Sequence, residues 1–225
     1  GFQAGLSVTT GTYNTLIGAQ SGDALTTGQE NVAVGTATLA VDTQGRNSVA
    51  IGHSALEAQN FTTATEGHNV AIGHNTGKAI TTGLNNTLIG GSSGDALTDA
   101  DNNTTVGRFT LSSDTLGSRT TAIGYGALFA QNFTTATDSF NVAVGFNAGT
   151  SVTTAARQTL IGALAGDTIT TGNGNTALGY LALSGTDDGG GNVAVGSDSL
   201  KANCGDHNVG VGPESLTVCT GADNT

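Results

Sequence analysis

An all-β fold, a parallel β-solenoid (β-roll) of about 13 coils, is what this sequence predicts. Three observations predict it. A glycine recurs with a 17-residue period along the whole chain. A short β-branched run precedes each recurrence. The composition leaves little room for other classes. Glycine supplies 36 of 225 residues, about twice the usual share of roughly 7%. Each glycine inside a helix costs about 1 kcal/mol relative to alanine, which argues against helical packing. The single proline excludes a collagen triple helix. With 36% hydrophobic residues the chain is also unlike charged or proline-rich disorder.

The period is read from anchor glycines. They stand at Gly1, Gly18, Gly35, Gly52, then Gly73, Gly90, Gly107, Gly124, then Gly145, Gly162, Gly179, Gly196 and Gly212. The spacing is 17 except for two steps of 21 and a last step of 16. The residue before each anchor from Gly18 onward is Ile, Val or Leu, and the residue three before is Thr or Val. Such a run ending at glycine reads as a strand followed by a turn. Four before the anchor stands Asn in nine of twelve cases, the exceptions being Ser48, Thr120 and Gln158. Asn stacked in register predicts a side-chain amide ladder.

The rest of the period comes in two kinds. In one, Gly lies four after the anchor and an aliphatic residue three further on, as in Gly22 with Leu25. In the other, Leu takes the fourth position, as in Leu39. Their order repeats every 72 residues, so residues 1–225 read as one rod with super-repeats starting near residues 14, 86 and 158. A unit of this size cannot bury its own apolar face, and stacking equivalent coils solves that. At about 4.8 Å per coil the rod is on the order of 60 Å long. The residues one and two before each anchor point to opposite faces, and both are mostly apolar (Ala33 beside Val34, Leu160 beside Ile161). One face can fill the coil; the other then calls for a partner.

Motifs such as Asn47-Ser48-Val49-Ala50-Ile51-Gly52 and Asn69-Val70-Ala71-Ile72-Gly73 resemble the head repeats of trimeric autotransporter adhesins of the YadA-like kind, and related repeats of phage tail fibres. The resemblance covers nearly the whole chain. It implies a left-handed β-roll, association as a homotrimer about an apolar axis, and a place on a cell or virion surface. The adhesin head repeat is typically 14 residues long, shorter than the period here.

Few residues carry chemistry. Net charge is −11, and six basic residues stand singly, so nucleic-acid binding, which needs a basic stripe, is not expected. No apolar run approaches the roughly 18 residues of a membrane-spanning helix, so no membrane insertion is expected in this segment. No catalytic set, cofactor motif or metal-ligand spacing is identifiable, and the chain is not expected to be an enzyme. Cys204 and Cys219 fall in adjacent coils at nearly equal offsets. An intrachain disulfide, two buried thiols and an interchain bond are the open readings, and stacking at near 5 Å places the first within range. Such a bond would fit an oxidising, extracellular setting. His53 and His74 directly follow their anchors and should stack. The acidic turns Asp99-Ala100-Asp101 and Asp187-Asp188 read as solubilising charge rather than calcium sites.

The octapeptide AQNFTTAT occurs twice, at 58–65 and 130–137, and accounts for the two long spacings. Each copy is expected to bulge outward, with Phe61 and Phe133 either tucked against the coil or exposed, and with Asn60, Phe61 and Thr62, or Asn132, Phe133 and Thr134, as candidates for contact with a host surface or glycan receptor. Asn-Phe-Thr is also an N-glycosylation pattern. The alternative is a purely structural bulge. Gly1 is itself an anchor, and Asn224-Thr225 begin another strand-like motif, so the chain is expected to continue or to stack head to tail into a filament. The function expected is a structural, fibre-forming one: shaft or head of an extracellular adhesin or viral tail fibre. The alternatives are an ice-binding or carbohydrate-binding solenoid, with Thr pairs such as Thr26-Thr27 and Thr81-Thr82, and a phage depolymerase.

Overall fold

The β-branched triplets become the strands. The computed structural model describes residues 1–219 and 221–224. Among them, twelve three-residue strands, from Thr15–Ile17 to Val209–Val211, form one parallel sheet whose order follows the chain. The register is uniform: Val32, Ala33 and Val34 face Val49, Ala50 and Ile51 one coil on. The insertions leave it intact, since Val49 faces Val70 across the first. The chain is therefore the expected parallel β-solenoid, of about twelve turns. The strand motif expected at Asn224-Thr225 reaches Thr225, which lies outside the described residues.

Strands stay short because the coil turns three corners. The residue two after each anchor, the one four after it and the one five before the next all have φ between 47° and 70°, as in Ala37 (55°), Leu39 (47°) and Asn47 (57°). Non-glycine residues in this region cost of order 1 kcal/mol each. Stacking repays this: most corner N–H groups reach a carbonyl of the adjacent coil, as Ala37 N–H does to Ala19 and Ser54 N–H to Thr36. The anchors are different. Gly35 has φ of 140°, and a Cβ there would lie 2.6 Å from the Gly52 carbonyl oxygen. Both conditions require glycine.

The core explains the two coil kinds. The middle residue of each strand points inward. It is Leu16, Leu88 or Leu160 where two Gly-kind coils adjoin, and mostly Ala elsewhere, as at Ala33, Ala50 and Ala122. Leu88 lies over both Gly77 and Gly94, where an added Cβ would approach its methyls to 2.8 and 3.2 Å. Strand Leu thus needs glycine at the corner. Strand Ala leaves the space to a corner Leu, and Leu39, Leu56, Leu111, Leu128, Leu183 and Leu200 all fill it with no exposure.

The Asn column forms the expected ladder. Asn86 donates from Nδ2 to the Ala100 carbonyl (2.7 Å) and to Asn69 Oδ1 (3.2 Å), and its Oδ1 accepts from Asn103 N–H (3.0 Å). Each amide thus ties its own coil to the next. The shortened 16-residue step breaks the pattern: Asn192 Nδ2 is buried without a partner.

Candidate functional site

Three features merit description as sites: the outer strand face, the two insertions and the disulfide-closed end. On the outer face, the residue before each anchor forms an unbroken aliphatic column, Ile17 to Val211, twelve residues long. Beside it runs a column of Thr and Val three before the anchors, from Thr15 to Val209. These side chains are half-buried to exposed while the strand residue between them is mostly buried. Exposure reaches 57% at Ile17 and 69% at Val211.

The insertions are held more closely than the sequence reading anticipated. Ala58, Gln59 and Asn60 stay on the coil, and only Thr62, Thr63 and Ala64 form an exposed turn. Phe61 and Phe133 are tucked in, 4% and 6% exposed. Glycine makes the room: a Cβ on Gly45 or Gly67 would meet the Phe61 ring at 2.8 and 2.9 Å. Asn60 is half-buried, with Thr43 Oγ1 donating to its Oδ1 at 3.5 Å; Asn132 is exposed, with Thr115 Oγ1 at 3.3 Å. Thr62 and Thr134 are exposed. Beyond each turn the chain rejoins through a short parallel pairing, Gly45–Arg46 with Thr65–Glu66 and Gly117–Ser118 with Thr137–Asp138.

A buried polar network under each insertion went unseen in the sequence. Asp42 Oδ1 accepts from Gly45 N–H (3.0 Å) and Phe61 N–H (3.1 Å), and its Oδ2 accepts from Gln59 Nε2 (2.7 Å). Gln59 Oε1 accepts from Asn69 Nδ2 (2.9 Å), and Gln59 Nε2 also donates to Ser48 Oγ (3.2 Å). Asp114, Gln131, Asn141 and Thr120 repeat the set. The two breaks in the Asn ladder at Ser48 and Thr120 are thereby explained: the smaller side chain admits a Gln that takes over the ladder contact. Burial pushes both Asp carboxyls above the ordinary range, and the N–H donors led by Gln59 and Gln131 oppose that without cancelling it. A signal existed in the register. All four residues lie seven after their anchors, where the other coil kind places an aliphatic.

Cys204 and Cys219 are joined in a disulfide with Cα atoms 5.4 Å apart. His53 and His74 stack with ring centroids 5.3 Å apart. Of the acidic turns, Asp99 accepts from Thr82 Oγ1 (2.6 Å) and Asp101 from Leu84 N–H (2.7 Å), each bridging coils. Among the described residues no group of three His, Cys, Asp or Glu is arranged to hold a metal ion, and no helix is long and apolar enough to cross a membrane. The threonine hydroxyls eight after the anchors are engaged: Thr9, Thr26, Thr98, Thr153 and Thr170 each donate to a carbonyl of the next coil at 2.9–3.1 Å. No family model, curated protein or solved structure matches the chain.

Proposed function

We propose that this chain is a structural, non-enzymatic, fibre-forming module, the shaft or head of an extracellular adhesin or viral tail fibre, and that it self-associates along its outer strand face. The observation that carries the reading is the aliphatic column. Twelve coils at about 4.8 Å, with strands about 10 Å wide, give roughly 600 Å² of largely apolar face per chain, the size at which an exposed patch marks an interaction surface. The column is straight because the strands are in register, so a second copy can match it along its whole length. Trimeric closure, left-handed winding and a cell-surface or virion-surface location follow from the resemblance to YadA-like head repeats. The disulfide supports an oxidising compartment. Against the ice-binding alternative, the first threonine of each pair, Thr26, Thr81 and Thr170, donates its hydroxyl to a carbonyl of the next coil.

Sedimentation equilibrium tests the association. The expected mass is three times the 22.0 kDa of the chain, falling to one chain in an Ile72→Asp/Ile89→Asp variant that keeps its circular dichroism. A wild-type chain that stays monomeric at tens of micromolar would remove the basis for the fibre reading.

A further inference from the structure

One cluster departs from the repeat without leaving the coil. Phe109, Tyr125, Phe129 and Phe146 lie on adjoining coils of the second super-repeat. Their equivalents are Ala37, His53, Glu57 and His74 in the first and Leu181, Ser197, Lys201 and Pro213 in the third. Tyr125 and Phe129 each meet Phe109 edge-on, with centroids 6.0 and 6.4 Å apart and interplanar angles of 82° and 85°. Phe146 stacks on Tyr125 at 5.6 Å. Tyr125, Phe129 and Phe146 are 47%, 44% and 53% exposed. The backbone repeat does not call for them, since the same repeat positions hold Ala, Glu or Ser elsewhere.

Phe109, Tyr125 and Phe129 line an open cleft of about 200 Å³, completed by Gly126, Asn147 and Thr150, with Phe146 outside it behind Tyr125. Gly126 stands at a corner position that carries a side chain in the coils on either side, Phe109 and Asn147. Here a Cβ would run into Asn147 Oδ1. The Asn147 amide and Thr150 hydroxyl engage no other described side chain, so their hydrogen-bonding capacity is open to a ligand. No carboxylate lines the cleft, although the chain carries a net charge of −11. The Arg108 guanidinium lies over the Phe109 ring, 4.3 Å from its centre.

We propose that this cleft binds a pyranose ring of a surface saccharide. Aromatic faces carry negative quadrupole potential, which complements the polarised C–H face of a sugar. The sugar hydroxyls find both a donor and an acceptor in Asn147 and a hydroxyl in Thr150. The volume, below the 300–1,000 Å³ of pockets for larger ligands, suits a single ring. A nucleobase would stack equally well, but the acidic chain repels the phosphates that must come with it. The site is distinct from the AQNFTTAT turns. The inference deepens the surface-attachment part of the fibre reading and rests on it only for where a saccharide would be met.

Saturation-transfer NMR on the full chain tests it, with methyl glucoside, methyl galactoside, N-acetylglucosamine and glucuronate as probes. Transfer to ring protons of at least one sugar is expected. Tyr125→Ala and Phe129→Ala should weaken its binding at least tenfold. Phe140→Ala, which removes an exposed aromatic elsewhere, should leave it within twofold. Absence of transfer from every probe overturns the proposal, as does equal loss in Phe140→Ala. So does a drop in sedimenting mass for Phe129→Ala, which would make the cluster a contact between copies. Association of the wild-type chain is read separately by mass, so failure here and failure of the fibre reading are distinguishable.

Discussion

Replacing Gln158 by Asn should stabilise the rod. Gln158 occupies an Asn-ladder position, and its longer side chain overreaches. Its Nε2 still donates to the Gly172 carbonyl (2.6 Å), but its carboxamide oxygen is buried without a partner. In the adjoining coils the ladder Asn accepts the next coil's N–H: Asn141 Oδ1 from Gln158 N–H and Asn175 Oδ1 from Asn192 N–H, both at 2.9 Å. The Asn175 N–H has no such acceptor. Gln158→Asn brings an oxygen to that N–H while keeping the bond to Gly172. One buried hydrogen bond then replaces two unmatched polar groups, worth about 1–3 kcal/mol. Losing one methylene takes back up to about 0.8 kcal/mol. The net gain of about 0.2–2 kcal/mol corresponds to at most roughly 4–8 °C in melting temperature for a chain of this size. The converse change, Asn86→Ala, strands Asn103 N–H and the Ala100 carbonyl and should cost about 2–5 kcal/mol. Calorimetric melting of both variants beside the parent is the assay. A Gln158→Asn protein that melts at or below the parent temperature would refute the view that the ladder is held by its amide-to-backbone bonds.

Three further outcomes are expected. Gly35→Ala should destabilise by about 2–4 kcal/mol in chemical denaturation, because left-handed backbone and the Gly52 carbonyl both oppose a Cβ; a change under 0.5 kcal/mol would show that the anchors can shift. Reduction of the Cys204–Cys219 bond should remove about 3 kcal/mol, felt in the adjoining coils because each coil contacts only its neighbours. Hydrogen exchange should therefore speed at Val193–Val195 and Val209–Val211 and stay unchanged at Thr87–Ile89; uniform acceleration would contradict this. Asp42 and Asp114 have folded pKa values raised above the unfolded value by burial. Their protonation contributes stability that is fully present below the unfolded pKa and lost as pH rises through the folded one. The stability of the parent relative to Asp42→Asn/Asp114→Asn should thus grow as pH falls from 7 toward the ordinary carboxyl value of 3.8, and a shrinking difference would reverse the assignment.

Much of this was legible as register. The 17-residue spacing of glycines and the β-branched triplets placed the twelve strands of the main sheet, since a strand residue needs only its β-propensity and a turn after it; the two-residue pairings beside the insertions, Gly45–Arg46 with Thr65–Glu66 and Gly117–Ser118 with Thr137–Asp138, were not marked by it. The same register put Cys204 beside Cys219 and His53 beside His74. It failed where a position's meaning depends on a neighbour in another coil. The Ser48 and Thr120 departures looked like noise in the Asn column until Gln59 and Gln131 were seen to enter beside them. Phe61 and Phe133 could be read as exposed or tucked, because the glycines that receive them, Gly45 and Gly67 in the first case, are a coil or a turn away.

What the sequence determined by itself is the repeat: its period, its strand, its two coil kinds and its two apolar strand faces, all of them local patterns. Only the tertiary structure decided why the kinds alternate, with strand Leu88 over Gly77 and Gly94, and strand Ala beneath corner Leu elsewhere. It alone revealed that corners such as Ala37 and Asn47 adopt left-handed backbone without glycine, held by bonds from adjacent coils. It alone gathered Phe109, Tyr125 and Phe129 around one cleft. The physical reason is the same in each case: a solenoid's packing is set by what lies one coil away, and that proximity exists only after the coils have stacked.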